Sequence, residues 1–174
     1  QKCLSCPPGL SPVTLSDRAM EVVKSRKSRV RSWYLDVSLL ANYWGEGARA
    51  YHHTAPITMN YALHESLRLV LEEGLKERWG RHEANHINLK KGLSDLNLYI
   101  ASQEGHQLWQ LNAVTVPEGV DEAAIRNTLL IDNGIEIGAG LGPFSGKVWR
   151  IGLMGYSSSE KNVDKIISAL KNLL

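Results

Sequence analysis

The sequence predicts an α/β chain whose later part is a small α+β domain with helices on one side of a sheet. Three observations predict it. Residues 147–153 alternate at the two-residue period of a strand, with Trp149, Ile151 and Leu153 on one side and Val148, Arg150 and Gly152 on the other. The last segment repeats Val163, Ile166, Ile167, Leu170 and Leu174 on one helical face, after Ser157 and Glu160 in capping-box spacing. Between about residue 96 and the end, strand-like and helix-like segments follow in the order β-β-α-β-β-α.

In chain order, residues 1–9 are a turn region punctuated by Pro7, Pro8 and Gly9, and 10–15 read as a short strand. Ser16 and Asp17 cap a helix through about Ser25, and the basic run 24–31 then complements that helix's C-terminal dipole. Residues 33–43 read as a short helix. The loop 45–56 carries Tyr51, His52, His53 and Thr54, and a long helix follows over 57–79. Gly80 marks a boundary, after which a second helix continues to about Leu96. Residues 96–101, 112–116 and 135–138 are expected strands, with a helix from Pro117–Asp121 to about Ile131 and the arginine strand as the fourth.

Composition narrows the function classes. The 174 residues are 43% hydrophobic and 22% charged with net charge +2, an ordinary soluble balance that lends nucleic-acid binding little support. No run approaches the roughly twenty apolar residues of a membrane span. The chain opens without an initiator Met or a signal-peptide hydrophobic region, as a fragment or processed product would. The C-terminus is not the S-K-L peroxisomal address, and two cysteines point to a reducing compartment, so a cytoplasmic location is expected, with peroxisome or mitochondrion the alternatives in a eukaryote.

Four groups of residues bear on chemistry. Cys3 and Cys6 lack a second pair for zinc and are followed by two prolines, so they read as incidental. His82, Glu83 and His86 match H-E-x-x-H formally, which makes a zinc metallopeptidase the rival enzyme class; their surroundings read instead as a charged, solvated helix face. Tyr51 and Thr54, three residues apart ahead of a helix, have hydroxyls suited to one phosphate; capping plus a buried core tyrosine is the plainer alternative. Arg150 lies mid-strand, where an unpaired cation is costly, yet no Asp or Glu lies within nine residues of it. A distant carboxylate or a ligand must meet it, and on this stretch alone the ion pair is the preferred reading. Gly138, Gly140, Gly142, Gly146, Gly152 and Gly155 leave space around it.

Taken in order, Gln1-Lys2 with Pro7-Pro8-Gly9, Tyr34-Leu35-Asp36, Tyr51-His52-His53-Thr54, Gly140-Leu141-Gly142-Pro143 and 146–152, reading GKVWRIG, form a series. That series resembles the second half of the alanine–glyoxylate aminotransferases, class V pyridoxal-phosphate enzymes of the type I fold. The resemblance implies that Lys2 is the Schiff-base lysine, Gln1 its neighbour beside the cofactor, and Arg150 the anchor of the substrate carboxylate. It implies that Tyr51 and Thr54 reach the cofactor phosphate of the partner subunit in a homodimer. Residues 1–75 would end the large cofactor-binding domain, and 76–174 would form the small C-terminal domain. Alanine, serine or 3-hydroxykynurenine could donate the amino group to glyoxylate. The partners of the cofactor ring would lie outside this chain, so these 174 residues alone are expected to be inactive. A non-catalytic assembly fragment, lending Tyr51 and Thr54 to a partner, is the non-enzymatic alternative.

Overall fold

The computed structural model describes residues 1–44, 47–48 and 50–174. The expected loop 45–56 therefore falls partly outside the described residues, at Gly45, Glu46 and Arg49. The chain divides into two compact units, one of Gln1–Pro7 with Leu63–Leu174 and one of Pro8–Ala62.

In the second unit, helix α1 (Asp17–Lys24) begins where expected, with the Ser16 hydroxyl accepting from Ala19 N–H at 3.3 Å. Helix α2 (Val37–Trp44) starts later than the sequence suggests, because the Asp36 carboxylate accepts from Ser38 N–H at 3.0 Å and fixes the first turn there. Residues 10–15 are not a strand. Pro12 removes a donor from the middle of that segment, and no ladder partner is paired with it among the described residues. Most of the basic run also lies beyond α1; only Lys24 sits in the last helical turn.

Helix α3 (Ile57–Glu73) and helix α4 (Leu75–Asp95) meet at Gly74, not Gly80. Gly74 takes φ 89°, a conformation that glycine adopts without a Cβ penalty, whereas Gly80 stays inside α4. The buried positions of α4 are Arg78, His82, Asn85, His86, Leu89 and Leu93, at helical spacing.

The sheet has three strands in the order β1-β3-β2: β1 (Leu111–Thr115), β2 (Gly138–Ala139) and β3 (Val148–Gly152), both pairings antiparallel. Residues 96–101 form only an isolated bridge, Ile100 opposite Val114, rather than a fourth strand. Helix α5 (Glu122–Asn133) is capped by Asp121, whose carboxylate accepts from Ala123 and Ala124 N–H at 3.0 Å each. Helix α6 (Glu160–Leu173) is capped by Ser159 rather than Ser157, which lies in a preceding 3-10 turn. Its Val163, Ile166 and Leu170 are buried as the repeat predicts, while Leu174 is exposed.

The core gathers Leu89 and Leu93 of α4, Val114 of β1, Leu129 of α5, Trp149 and Ile151 of β3, and Leu170 of α6. Trp149 is fully buried and its indole N–H donates to Glu122 O at 3.2 Å, so the polar edge of the ring costs little. With the odd-numbered residues of β3 locked into this core, Arg150 must face the other side of the sheet.

Candidate active site

Arg150 occupies the central strand, and its cross-strand neighbours are Ala113 on β1 and Gly138 on β2. Both are small, so the arginine lies in a trough between flanking strands. The fit is close: a Cβ at Gly138 would stand 3.2 Å from Nη2 and 3.3 Å from Nε. The half-buried guanidinium donates from Nε to Ala139 O at 2.6 Å, which fixes the plane of the fork. Among the described residues no acid pairs with Arg150, so the distant carboxylate of the ion-pair reading is not found. No buried side-chain nitrogen lacks a partner there, so the two Nη groups remain open to solvent. Two donors left in one planar fork suit a planar carboxylate.

Lys2 lies in a 3-10 turn (Lys2–Leu4) preceded by Gln1, and both residues are exposed. Lys2 and Ser5 have φ of 53° and 56°, left-handed values that disfavour residues with a Cβ. Among the described residues the Lys2 amine has no hydrogen-bond or ion-pair partner. This turn packs against the segment that leaves β3: Tyr156 N–H donates to Ser5 Oγ at 2.9 Å, and a Cβ at Gly155 would overlap Ser5 Oγ and stand 2.7 Å from Cys3 O. The lysine turn and the outlet of the arginine strand are thus in direct contact. Cys3 and Cys6 are free thiols.

In the unit of Pro8–Ala62, the Tyr51 and Thr54 hydroxyls lie 2.6 Å apart. Tyr51 is 71% exposed, which contradicts the core-tyrosine alternative. Between the two hydroxyls the chain is fixed by His52, which is buried, stacks on Trp33 at 4.0 Å and hydrogen-bonds Trp33 O at 3.1 Å. The inward histidine leaves its neighbours' hydroxyls on the surface.

His82 and His86 correct the expectation of a solvated face, since both are buried. Gly155 N–H donates to His82 Nε2 at 2.9 Å, so the proton of the ring sits on Nδ1, which donates to Arg78 O at 2.7 Å. His86 Nδ1 lies 2.7 Å from Asn112 Oδ1, and the Asn112 amide is oriented by its bond to Ile151 O. With both nitrogens of His82 committed to the backbone, that ring has no lone pair for a metal. Among the described residues no three His, Cys, Asp or Glu side chains are grouped to hold one. The zinc-peptidase reading finds no support.

Sequence reasoning missed Ala113 and, at His82, the burial and the bond to Gly155. Ala113 is legible only once β1 is registered against β3. His82 is a polar residue on a buried stripe, a pattern that hydropathy alone reads as surface.

No family model matches this chain. It is similar over its whole length to (S)-ureidoglycine–glyoxylate transaminase from Bacillus subtilis, at 38% identity over 46% of that protein. Alanine–glyoxylate aminotransferase from Mus musculus is 41% identical, again across the whole chain and 43% of the relative. Among solved structures, alanine–glyoxylate aminotransferase from Nostoc sp. superposes with a TM-score of 0.91 at 47% identity, over 99% of this chain and 46% of that one. Its relatives and structural neighbours are thus aminotransferases that act on glyoxylate by name. It spans less than half the length of the curated relatives it matches, consistent with their C-terminal part. The mixed helix-and-sheet fold is that of the pyridoxal-phosphate-dependent aminotransferases, as the resemblance implied. Among the described residues no helix is long and apolar enough to cross a membrane.

Proposed function

We propose that the complete protein transfers an amino group from a small amino acid, alanine or serine, to glyoxylate, with pyridoxal phosphate attached to Lys2. The observation that carries this reading is the open fork of Arg150, set between Ala113 and Gly138 on a strand whose outlet touches the Lys2 turn. Glyoxylate appears in the names of both similar proteins quoted above, which favours it as the acceptor; ureidoglycine joins alanine and serine as a donor to assay.

The residues present fit the cofactor. An unpaired, exposed primary amine suits covalent attachment, and two neighbouring surface hydroxyls suit a phosphate. When bound, pyridoxal phosphate delocalises the electron pair left on the amino acid's α-carbon. Arg150 holds the substrate carboxylate through two parallel hydrogen bonds, which sets the direction of the α-C–H bond. Lys2 Nζ, once free, takes the α-proton and returns it on the other side of the transfer. Gln1 flanks that amine. Tyr51 and Thr54 address the phosphate from the partner subunit of a homodimer, which makes each site a shared one. In this reading residues 1–75 close the large cofactor-binding domain and 76–174 form the small domain.

Borohydride reduction of the complete, cofactor-loaded protein, followed by peptide mass mapping, tests the attachment. The tag is expected on Lys2; a tag on Lys147 would overturn the assignment.

A further inference from the structure

We propose that the polar first half of α4 is a positioning device that fixes the Lys2 turn relative to the strand of Arg150. The proposal rests on the reading that Lys2 carries the cofactor and Arg150 the substrate carboxylate.

Glu73 ends α3, and the turn at Gly74 brings its carboxylate back onto α4. Two arginines grip that carboxylate: Arg78 Nη1 at 2.6 Å from Oε2, and Arg81 Nε at 2.5 Å from Oε1. Each has donors left over, and they go to the two turns that matter. Arg78 Nη2 donates to Cys3 O at 2.6 Å, one residue from Lys2. Arg81 Nη1 donates to Gly155 O at 3.0 Å and to Ser158 O, just beyond the strand of Arg150. His82, one residue on, accepts from the Gly155 N–H. Positions 78, 81 and 82 share one helix face. The two turns are therefore fastened to the same rigid element as well as to each other through Ser5 and Tyr156.

The arrangement matters because the lysine turn holds left-handed backbone at Lys2 and Ser5, which persists at such non-glycine positions only where the surroundings over-determine it. Glu73 fixes the guanidinium planes, and these hold carbonyl oxygens rather than side chains. A shift of the lysine on the order of 1 Å would cost roughly 10²-fold in rate while leaving the carboxylate anchor in place. Glu73, Arg78, Arg81 and His82 act through Lys2 and touch no reactant; they are positioning residues.

The test uses the complete protein with its cofactor. Arg78→Met removes the bonds to Glu73 and Cys3 O; Ser5→Ala removes only the acceptor of Tyr156 N–H. Two quantities are read per cofactor-bearing site: kcat, with KM for the amino acid beside it, and the pH midpoint of the bound cofactor's absorbance change. Arg78→Met should lower kcat about tenfold or more with KM within about twofold, and Ser5→Ala should lower it by about threefold. Both should move the absorbance midpoint by about half a unit, because the lysine's surroundings change. A role confined to stability would lower the melting temperature and the loaded fraction, yet leave per-site kcat and the midpoint at parental values. That result overturns the proposal, as does a rise in KM at constant kcat. Should Arg78→Met fail to fold or load, Ser5→Ala decides by the same criteria. A parent that carries its borohydride tag away from Lys2 overturns the functional reading and this proposal together. A parent tagged on Lys2, with variants unchanged per site, overturns the positioning role alone.

Discussion

The unit built from Gln1–Pro7 and Leu63–Leu174 backs the strand of its arginine with a core that includes Leu89, Leu93, Trp149, Ile151 and Leu170, whereas in Pro8–Ala62 the buried residue among those described is His52. Val13, Val22, Leu35, Tyr51, Ile57 and Tyr61 of that second unit are all more than half exposed. The first unit therefore sets Arg150 by tertiary packing: Trp149 and Ile151 cannot leave the core, so the residue between them cannot turn. The second unit sets Tyr51 and Thr54 by local contacts, a stacked histidine and a hydroxyl pair. The two units therefore show two kinds of order, one from a packed core and one from neighbouring side chains.

The largest expected effect tests the packed side. In the complete protein, Arg150→Lys keeps the charge and loses the two parallel donors. Charge-assisted hydrogen bonds are worth about 1.5–3 kcal/mol each. kcat/KM for amino acids should thus fall by roughly ten- to a few hundred-fold. Amines without a carboxylate should lose little, and the melting temperature should barely move, since no protein acid pairs with Arg150 among the described residues. Equal losses for both substrate classes, with a steep drop in stability, would mean that the arginine serves the fold.

Much of the packed side was legible in the sequence, because a strand's two-residue period separates Trp149 and Ile151 from Arg150 without knowledge of any partner. The cap at Ser16 was equally local. Pairing was not. The segment 10–15 has β-prone residues but lacks a partner strand among the described residues, and 96–101 supplies only a bridge. The helix break at Gly74 depends on a backbone angle that Gly80, with the same side chain, does not adopt. Most instructive is α4, whose buried stripe begins with Arg78, His82, Asn85 and His86 and turns apolar only at Leu89. Spacing marks it as one face, while polarity hides the first half. Those polar residues are buried because backbone groups, Glu73, Asn112 and the Ser158 hydroxyl satisfy them, and the partners distant in sequence leave no local trace.

A smaller effect tests the locally ordered side. If Tyr51 and Thr54 act in trans, a heterodimer of a Lys2→Ala chain with a Tyr51→Phe, Thr54→Ala chain gathers every defect in one site. The other site is then intact, and about half the parental activity per dimer should return. Verified heterodimers with no recovered activity would place these hydroxyls in their own subunit's site or outside any site.

The smallest effect compares one carboxylate from each unit. Glu73 is held below its ordinary value of 4.5, first by its hydrogen bond from Arg81 and then by Arg78, against the opposing cost of desolvation. Its folded value is thus depressed relative to the unfolded chain. Ionised Glu73 stabilises the fold above the unfolded value, and that contribution drains away as pH falls through the folded one. Glu73→Gln removes the ion pairs but cannot titrate. The variant should melt below the parent at neutral pH, and the gap should close as the pH drops below 4.5. Taking the difference cancels the other carboxylates, including the exposed Glu65 paired with Arg68. Asp36 in the second unit is also depressed, chiefly by the Ser38 hydroxyl, but its partner is a neutral hydroxyl rather than a pair of arginines. Asn at that helix start keeps the cap, so Asp36→Asn should show almost no gap at any pH. A gap that tracks pH for Asp36 as strongly as for Glu73 would erase the distinction between the two units. A gap that stays constant for Glu73 would mean that its two arginines hold it by shape rather than by charge.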